Sequence, residues 1–163
     1  ERLGTCAINL SGQSIASNDL LNFIIERLQQ TGLPAEKICF EITETAAITD
    51  LENARQFIAG LKALGCRFAL DDFGSGLSSF AYLKTLDVDV IKIDGMFVKD
   101  MMTDAVNLAT VKSINEVARA LGKQTIAEFV ENEEIANELA SIGVDFAQGY
   151  YFHKPSLLVD LSA

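Results

Sequence analysis

Polar residues recur at the ends of short apolar runs: Asn9, Glu41, Asp71, Lys92, Glu128 and Gln148, with Asp72 directly after Asp71. Glu41, Asp71, Asp72 and Glu128 are carboxylates, and four carboxylates converging on one mouth repel one another strongly unless neutralised. Hard divalent cations with oxygen ligands neutralise such a set, and these residue types suit Mg²⁺ or Mn²⁺ rather than zinc. The side-chain carbonyl of Asn9 adds a neutral oxygen ligand. Asp71 and Asp72 fall where a strand gives way to a loop. One of them can bridge two ions while the other binds the second alone, at the ~3.5–4 Å spacing of two-metal hydrolases. Two such ions polarise a phosphoryl oxygen and lower the pKa of a bound water, with Lys92 as a fixed positive charge beside the attacking water. That chemistry needs no histidine base, and the one histidine, His153, lies beyond the last strand end.

The elements that must carry these residues alternate along the chain. Strand-like runs at 5–10, 38–41, 66–70, 88–93, 124–127 and 144–147 are separated by helical patterns. The first helical pattern spans 20–30 and is closed by Gly32 and Pro34. Thr49 and Glu52 are read as the capping box of the second. A Gly-rich turn, Asp71 to Gly76, leads to a short helix near Phe80. A long amphipathic helix runs from about Asp104 to Leu121, and Asn132 is the expected N-cap of the last. The strand starts recur every roughly 20 to 35 residues, the length of a βα unit. With no linker or low-complexity tract, residues 1–163 are expected to form one domain.

Six βα units fit either an open doubly wound sheet or part of a barrel. An open sheet concentrates its site at one switch point, whereas polar groups at six successive strand ends belong to a barrel mouth. The expected fold is therefore α/β, a (β/α)₈-type TIM barrel of about six units. A full barrel needs eight strands, so the two missing units are expected on the N-terminal side.

Net charge is −10, from 23 acidic and 13 basic residues. This argues against a groove for a nucleic-acid polymer, although divalent cations can still mediate binding of an anionic ligand. No run approaches the ~18 apolar residues of a membrane span, and no leader pattern opens the chain, so a cytoplasmic setting without membrane contact is expected. Cys6, Cys39 and Cys66 lack C-x-x-C spacing and read as small buried thiols in a reduced compartment. Gly74 and Gly76 permit a tight turn or a phosphate cradle. Tyr150, Tyr151 and Phe152 read as barrel-edge packing ahead of a base-stacking shelf.

These stretches together resemble the EAL-domain family of cyclic-di-GMP phosphodiesterases. The resemblance is carried by Ile8-Asn9-Leu10-Ser11, Phe40-Glu41-Ile42-Thr43-Glu44, Asp71-Asp72-Phe73-Gly74-Ser75-Gly76, Ile91-Lys92-Ile93-Asp94, Ala127-Glu128-Phe129-Val130-Glu131 and Gln148-Gly149-Tyr150. It runs essentially the whole chain, and six ordered motifs are far more specific than any one alone. The resemblance implies a barrel that hydrolyses cyclic-di-GMP to linear pGpG with two Mg²⁺ or Mn²⁺ ions. By position, Asn9, Glu41, Asp71, Asp72 and Glu128 resemble metal ligands or members of the metal–water network, and Asp72 and Glu128 count also as catalytic. Lys92 resembles the residue that holds the catalytic water, and Gln148 a supporting residue. Glu44 resembles a glutamate behind the metal site that anchors the loop beginning at Asp71, a loop linked in the family to dimerisation and to organising the metal site.

Two residues depart from the pattern: Phe129 stands where glycine is common, and Ser75 where threonine is common. Both flank key positions rather than replace them. The Glu-x-Leu motif that names the family is expected on a strand before Asn9. A homodimer and an upstream GGDEF or sensory domain are further expectations from the resemblance. The rival reading is a degenerate module that binds cyclic-di-GMP or a protein partner without hydrolysis. The chain alone, with unpaired sheet edges, is expected to be inactive or weak and prone to strand exchange.

Overall fold

The structure is a computed structural model that describes residues 4–75 and 80–156, so Gly76 of the Gly-rich turn lies outside the described residues. Six strands are present: β1 (Cys6–Leu10), β2 (Ile38–Thr43), β3 (Arg67–Phe73), β4 (Val90–Ile93), β5 (Gln124–Ala127) and β6 (Phe146–Ala147). Between them lie α1 (Gly12–Ile15), α2 (Asn18–Thr31), α3 (Glu44–Thr49), α4 (Leu51–Lys62), α5 (Gly95–Val98), α6 (Ala105–Ala120) and α7 (Glu133–Ile142). Every strand pairing is parallel, and the order across the sheet is β1-β2-β3-β4-β5-β6. A doubly wound sheet reverses its strand order at a switch point. This sheet never does, so its strands advance in one direction as barrel strands do. Among the described residues it is not closed, and β1 and β6 are its edges.

Period-two alternation sorts the side chains of each strand. Phe40, Ile42, Phe68, Leu70, Ile91, Ile93 and Ala127 belong to the main core with Phe57, Ile58 and Leu61 of α4 and Val111, Ile114 and Ala118 of α6. The alternate positions Cys39, Ala69 and Val90, joined by Ile126, form a separate small apolar layer. Two residues further along the same strands stand Glu41, Asp71, Lys92 and Glu128. Below that layer, Arg67 Nη2 donates to Gln124 Oε1 at 2.7 Å. The inner face is thus stacked in layers, with the charged one at the C-terminal ends, where barrel enzymes carry their sites.

Local capping fixes the helix starts. Ser17 accepts from Leu20 N–H, Asp104 from Val106 and Asn107, and Asn132 from Ile135, as expected for the last of these. The expected capping box at Thr49 and Glu52 is displaced by one residue. Thr49 is the last residue of α3 and its Oγ1 donates back to Thr45 O at 2.7 Å, while Asp50 caps α4 by accepting from Asn53 N–H. The reason is α3, which follows β2 with no loop between them and takes in Thr49 as its last residue. Cys39 and Cys66 are buried free thiols and Cys6 is half-buried. Burial, then the Glu41 charge, pushes the Cys39 thiol up to about 11, which keeps it protonated and inert. Among the described residues no helix is long and apolar enough to cross a membrane.

Candidate metal centre

Lys92 stands on β4 and is only 4% exposed. Its Nζ lies 2.8 Å from Asp71 Oδ1, 2.9 Å from Glu41 Oε2 and 3.0 Å from Glu128 Oε1. Burial works against its charge, but bonds to the three carboxylates outweigh it and hold the ammonium above the usual lysine range. Glu128 Oε1 also accepts from Gln148 Nε2 at 2.8 Å. The main chain holds Gln148 in place, with its N–H on Ala127 O and its carbonyl accepting from Val130 N–H. Four strand ends therefore meet around one ammonium, with Gln148 just past the end of a fifth.

Neighbours in a regular strand face opposite sides, so Asp71 and Asp72 should diverge. They do not, because β3 departs from the register of β4 between Leu70 and Phe73, and Asp72 has φ 53°. The strand also continues to Phe73 instead of ending at Leu70, so both aspartates belong to its irregular end. Asp71, Asp72 and Glu128 consequently place one carboxylate oxygen each within 4.8 Å of one another. Burial, followed by the charges of Asp71 and Asp94, raises the Asp72 carboxyl, and Lys92 opposes the shift. Burial also lifts Glu128 to about 6, against the pull of Lys92 and with help from Asp71 and Asp72. One ammonium leaves these four carboxylates under-neutralised. A hard cation would relieve that excess, and the donor set is all oxygen.

Glu41 reaches Lys92 but is not in the three-carboxylate cluster, and Asn9 of β1 stands opposite Glu41 in register, exposed at the sheet edge. Glu44 opens α3, is 2% exposed, and accepts from Gly74 N–H at 2.9 Å and Tyr82 OH at 2.6 Å. Ser75 Oγ donates to Asp72 O at 2.8 Å.

An open cavity of about 610 Å³ adjoins the carboxylates, lined by Lys99, Glu128, Phe129, Glu131, Gln148, Gly149, Tyr150, His153, Lys154 and Pro155. Tyr150, Tyr151 and Phe152 are exposed rather than packed at a barrel edge. Tyr150 faces this cavity, and the other two rings meet edge-to-face at 5.1 Å. Phe129, set aside on sequence, matters: its φ is 55°, in the left-handed region that favours glycine. The ring lies over Gly95, where an added Cβ would come 2.2 Å from Phe129 Cδ2, and Lys99 Nζ sits 4.4 Å from its centroid. The signal was present as phenylalanine at a glycine-preferring position. Its partners Gly95 and Lys99 carried none.

The sequence profile of the EAL domain matches residues 1–155. Over 152 residues the chain is 46% identical to a protein of Shewanella oneidensis named cyclic di-GMP phosphodiesterase PdeB, covering 93% of this chain and 18% of that protein. It is 38% identical to Escherichia coli cyclic di-GMP phosphodiesterase PdeF over 154 residues, 94% of this chain and 21% of that one. The chain thus spans about a fifth of the length of these relatives. Among solved structures, the EAL domain of Mycobacterium smegmatis DcpA superposes with a TM-score of 0.89 at 34% identity, covering 96% of this chain and 70% of that one. The Pseudomonas aeruginosa FimX EAL domain, bound to c-di-GMP, gives 0.88 at 34% identity over 93% and 62%.

Proposed function

This chain belongs to the EAL domain family, and from that premise we propose that it supplies the catalytic centre of a metal-dependent phosphodiesterase that hydrolyses cyclic-di-GMP to linear pGpG. The observation that carries this reading is the cluster of Asp71, Asp72 and Glu128 oxygens within 4.8 Å, set beside Lys92. Asn9, Glu41, Asp71, Asp72 and Glu128 would hold two Mg²⁺ or Mn²⁺ ions. Divalent ions bound there polarise the phosphodiester and lower the pKa of the attacking water. Lys92, held charged among its carboxylates, orients that water and offsets charge as it builds on the phosphorus oxygens. Water adds at phosphorus, one ester P–O bond breaks, and the ring opens to a linear dinucleotide. Gln148 steadies Glu128, and Glu44 steadies the turn that carries Asp72. The cavity beside Glu128, with Phe129, Tyr150, Lys99 and Lys154, offers apolar faces and positive charge to the rest of an anionic dinucleotide.

The same reading takes in a cytoplasmic setting, a GGDEF or sensory domain elsewhere in the protein, and a homodimer. The test is Mg²⁺- or Mn²⁺-dependent cleavage of cyclic-di-GMP by the full-length protein. Asp71→Asn is expected to reduce turnover by more than about a hundredfold, since changes behind a metal site already cost 10–100-fold. A variant with near-normal activity would falsify the site assignment. Binding of cyclic-di-GMP without any metal-dependent cleavage would favour a sensing module instead.

A further inference from the structure

A buried carboxylate must find hydrogen-bond donors for its oxygens. Glu44 is 2% exposed, and among the described residues no lysine or arginine pairs with it. Its donors are Gly74 N–H on Oε2 and Tyr82 OH on Oε1. They arrive from opposite ends of one stretch of chain: Gly74 follows β3 directly, and Tyr82 lies in the 3-10 turn Phe80–Lys84. A second tie spans the same stretch, where the rings of Phe73 and Phe80 meet with centroids 5.7 Å apart.

What this closure holds is the conformation of Asp72. Left-handed backbone is unfavourable for an L-residue and is kept where surrounding bonds hold it. Asp72 is fixed from the far side of its turn by Ser75, whose N–H and Oγ both reach Asp72 O, and by Gly74 N–H on Glu44. In an ordinary extended conformation the Asp72 side chain would point away from Asp71 and leave the cluster.

We propose that Tyr82 is a positioning residue for Asp72: by donating to Glu44 it keeps that carboxylate turned toward Gly74 N–H, and so holds the turn that brings Asp72 beside Asp71 and Glu128. The inference rests on the metal-site reading above. Without the phenol, Glu44 Oε1 has no donor among the described residues. The carboxylate then turns to water, its bond to Gly74 loosens, and Asp72 relaxes out of the cluster.

The experiment compares the full-length protein with Tyr82→Phe, which removes one oxygen and keeps the ring. Mn²⁺ affinity is read by calorimetric titration without substrate, and kcat and KM are read at saturating Mn²⁺. Tyr82→Phe is expected to weaken Mn²⁺ binding about tenfold, within the range for groups behind a metal site. KM for cyclic-di-GMP at saturating Mn²⁺ should stay within about twofold, because Tyr82 does not line the substrate cavity. Adding Tyr82→Phe to Glu44→Gln should cost no more than Glu44→Gln alone, as for residues acting through one bond. Wild-type Mn²⁺ affinity in Tyr82→Phe, or losses that simply multiply in the double variant, overturns the proposal. If Tyr82→Phe does not fold, Glu44→Gln, which changes the group through which Tyr82 acts, is expected to weaken Mn²⁺ binding likewise. Unchanged affinity there overturns the proposal too. Absence of cleavage by the wild-type protein would strike the phosphodiesterase reading, while the Mn²⁺ titration would still decide the role of Tyr82.

Discussion

Lys92 is a buried cation stabilised by three carboxylates at once, and such an ion becomes a liability when its partners or the ion itself are removed. Lys92→Met should destabilise the EDTA-treated protein by about 3–5 kcal/mol, the usual effect of breaking a buried ion pair. Added Mn²⁺ should narrow the gap, because cations take over part of the neutralisation. Thermal melting with and without Mn²⁺ checks both statements, and a gap that ignores the metal would detach Lys92 from the metal site. Glu128 supplies the pH test. Its folded pKa of about 6 lies above the ordinary 4.5, chiefly through burial, so the folded protein binds this proton more tightly than the unfolded chain. The stability linked to that proton is complete below pH 4.5 and is lost as pH rises through 6. Melting of the metal-free protein at a series of pH values should therefore show a fall across that window that is reduced in Glu128→Gln. At this scale the sequence was informative, because residue type alone marks the carboxylates whose oxygens could hold a hard cation. It left open whether Glu41 caps or pairs with Lys92 and could not show that Tyr82 meets Glu44, since those contacts join residues 51 and 38 positions apart.

At the scale of elements, the end of β3 and the segment after β5 decide the site. Alternation and apolar runs located both strands, but neither rule reports an irregular register or a left-handed residue. Phe129 illustrates the consequence. Its left-handed backbone sits against Gly95, whose lack of a side chain is what admits the ring. Gly95→Ala is expected to destabilise the protein by about 1–3 kcal/mol, the cost of overpacking a tight contact. Phe129→Gly should largely suppress that effect, since glycine accepts the backbone and vacates the space. A double variant as unstable as Gly95→Ala alone would mean that the strain lies elsewhere. Gly149 is less forgiving: a Cβ there would lie 2.3 Å from Val130 N and O, which are backbone atoms. Gly149→Ala should displace Gln148 from Glu128 and lower both stability and turnover, readable together by melting and initial rates.

At the scale of the whole molecule, sequential parallel order puts every strand end at one mouth, and the two edges β1 and β6 remain unpaired among the described residues. Beside β1 an apolar hollow of about 310 Å³ is lined by Leu10, Leu20, Phe23, Ile24, Leu28 and Leu33, among others, and Phe23 and Leu33 are more than half exposed. Unpaired edges beside apolar surface favour association. The 163-residue chain is therefore expected to self-associate in light scattering. Phe23→Lys should reduce the association, and a monodisperse chain would contradict the expectation.

Residue types and their spacing were enough to determine a parallel βα repeat, the polar layer at its strand ends and the carboxylate-rich character of that layer. These follow from local rules: period-two alternation, caps, and the charge and hardness of side chains. Only the tertiary structure decided which carboxylates share a cluster, because that depends on register between strands and on two left-handed residues, Asp72 and Phe129. Such conformations are unfavourable locally and depend on distant partners: Glu44 with Tyr82 ties the turn at Asp72, while Gly95 and Lys99 receive the ring of Phe129.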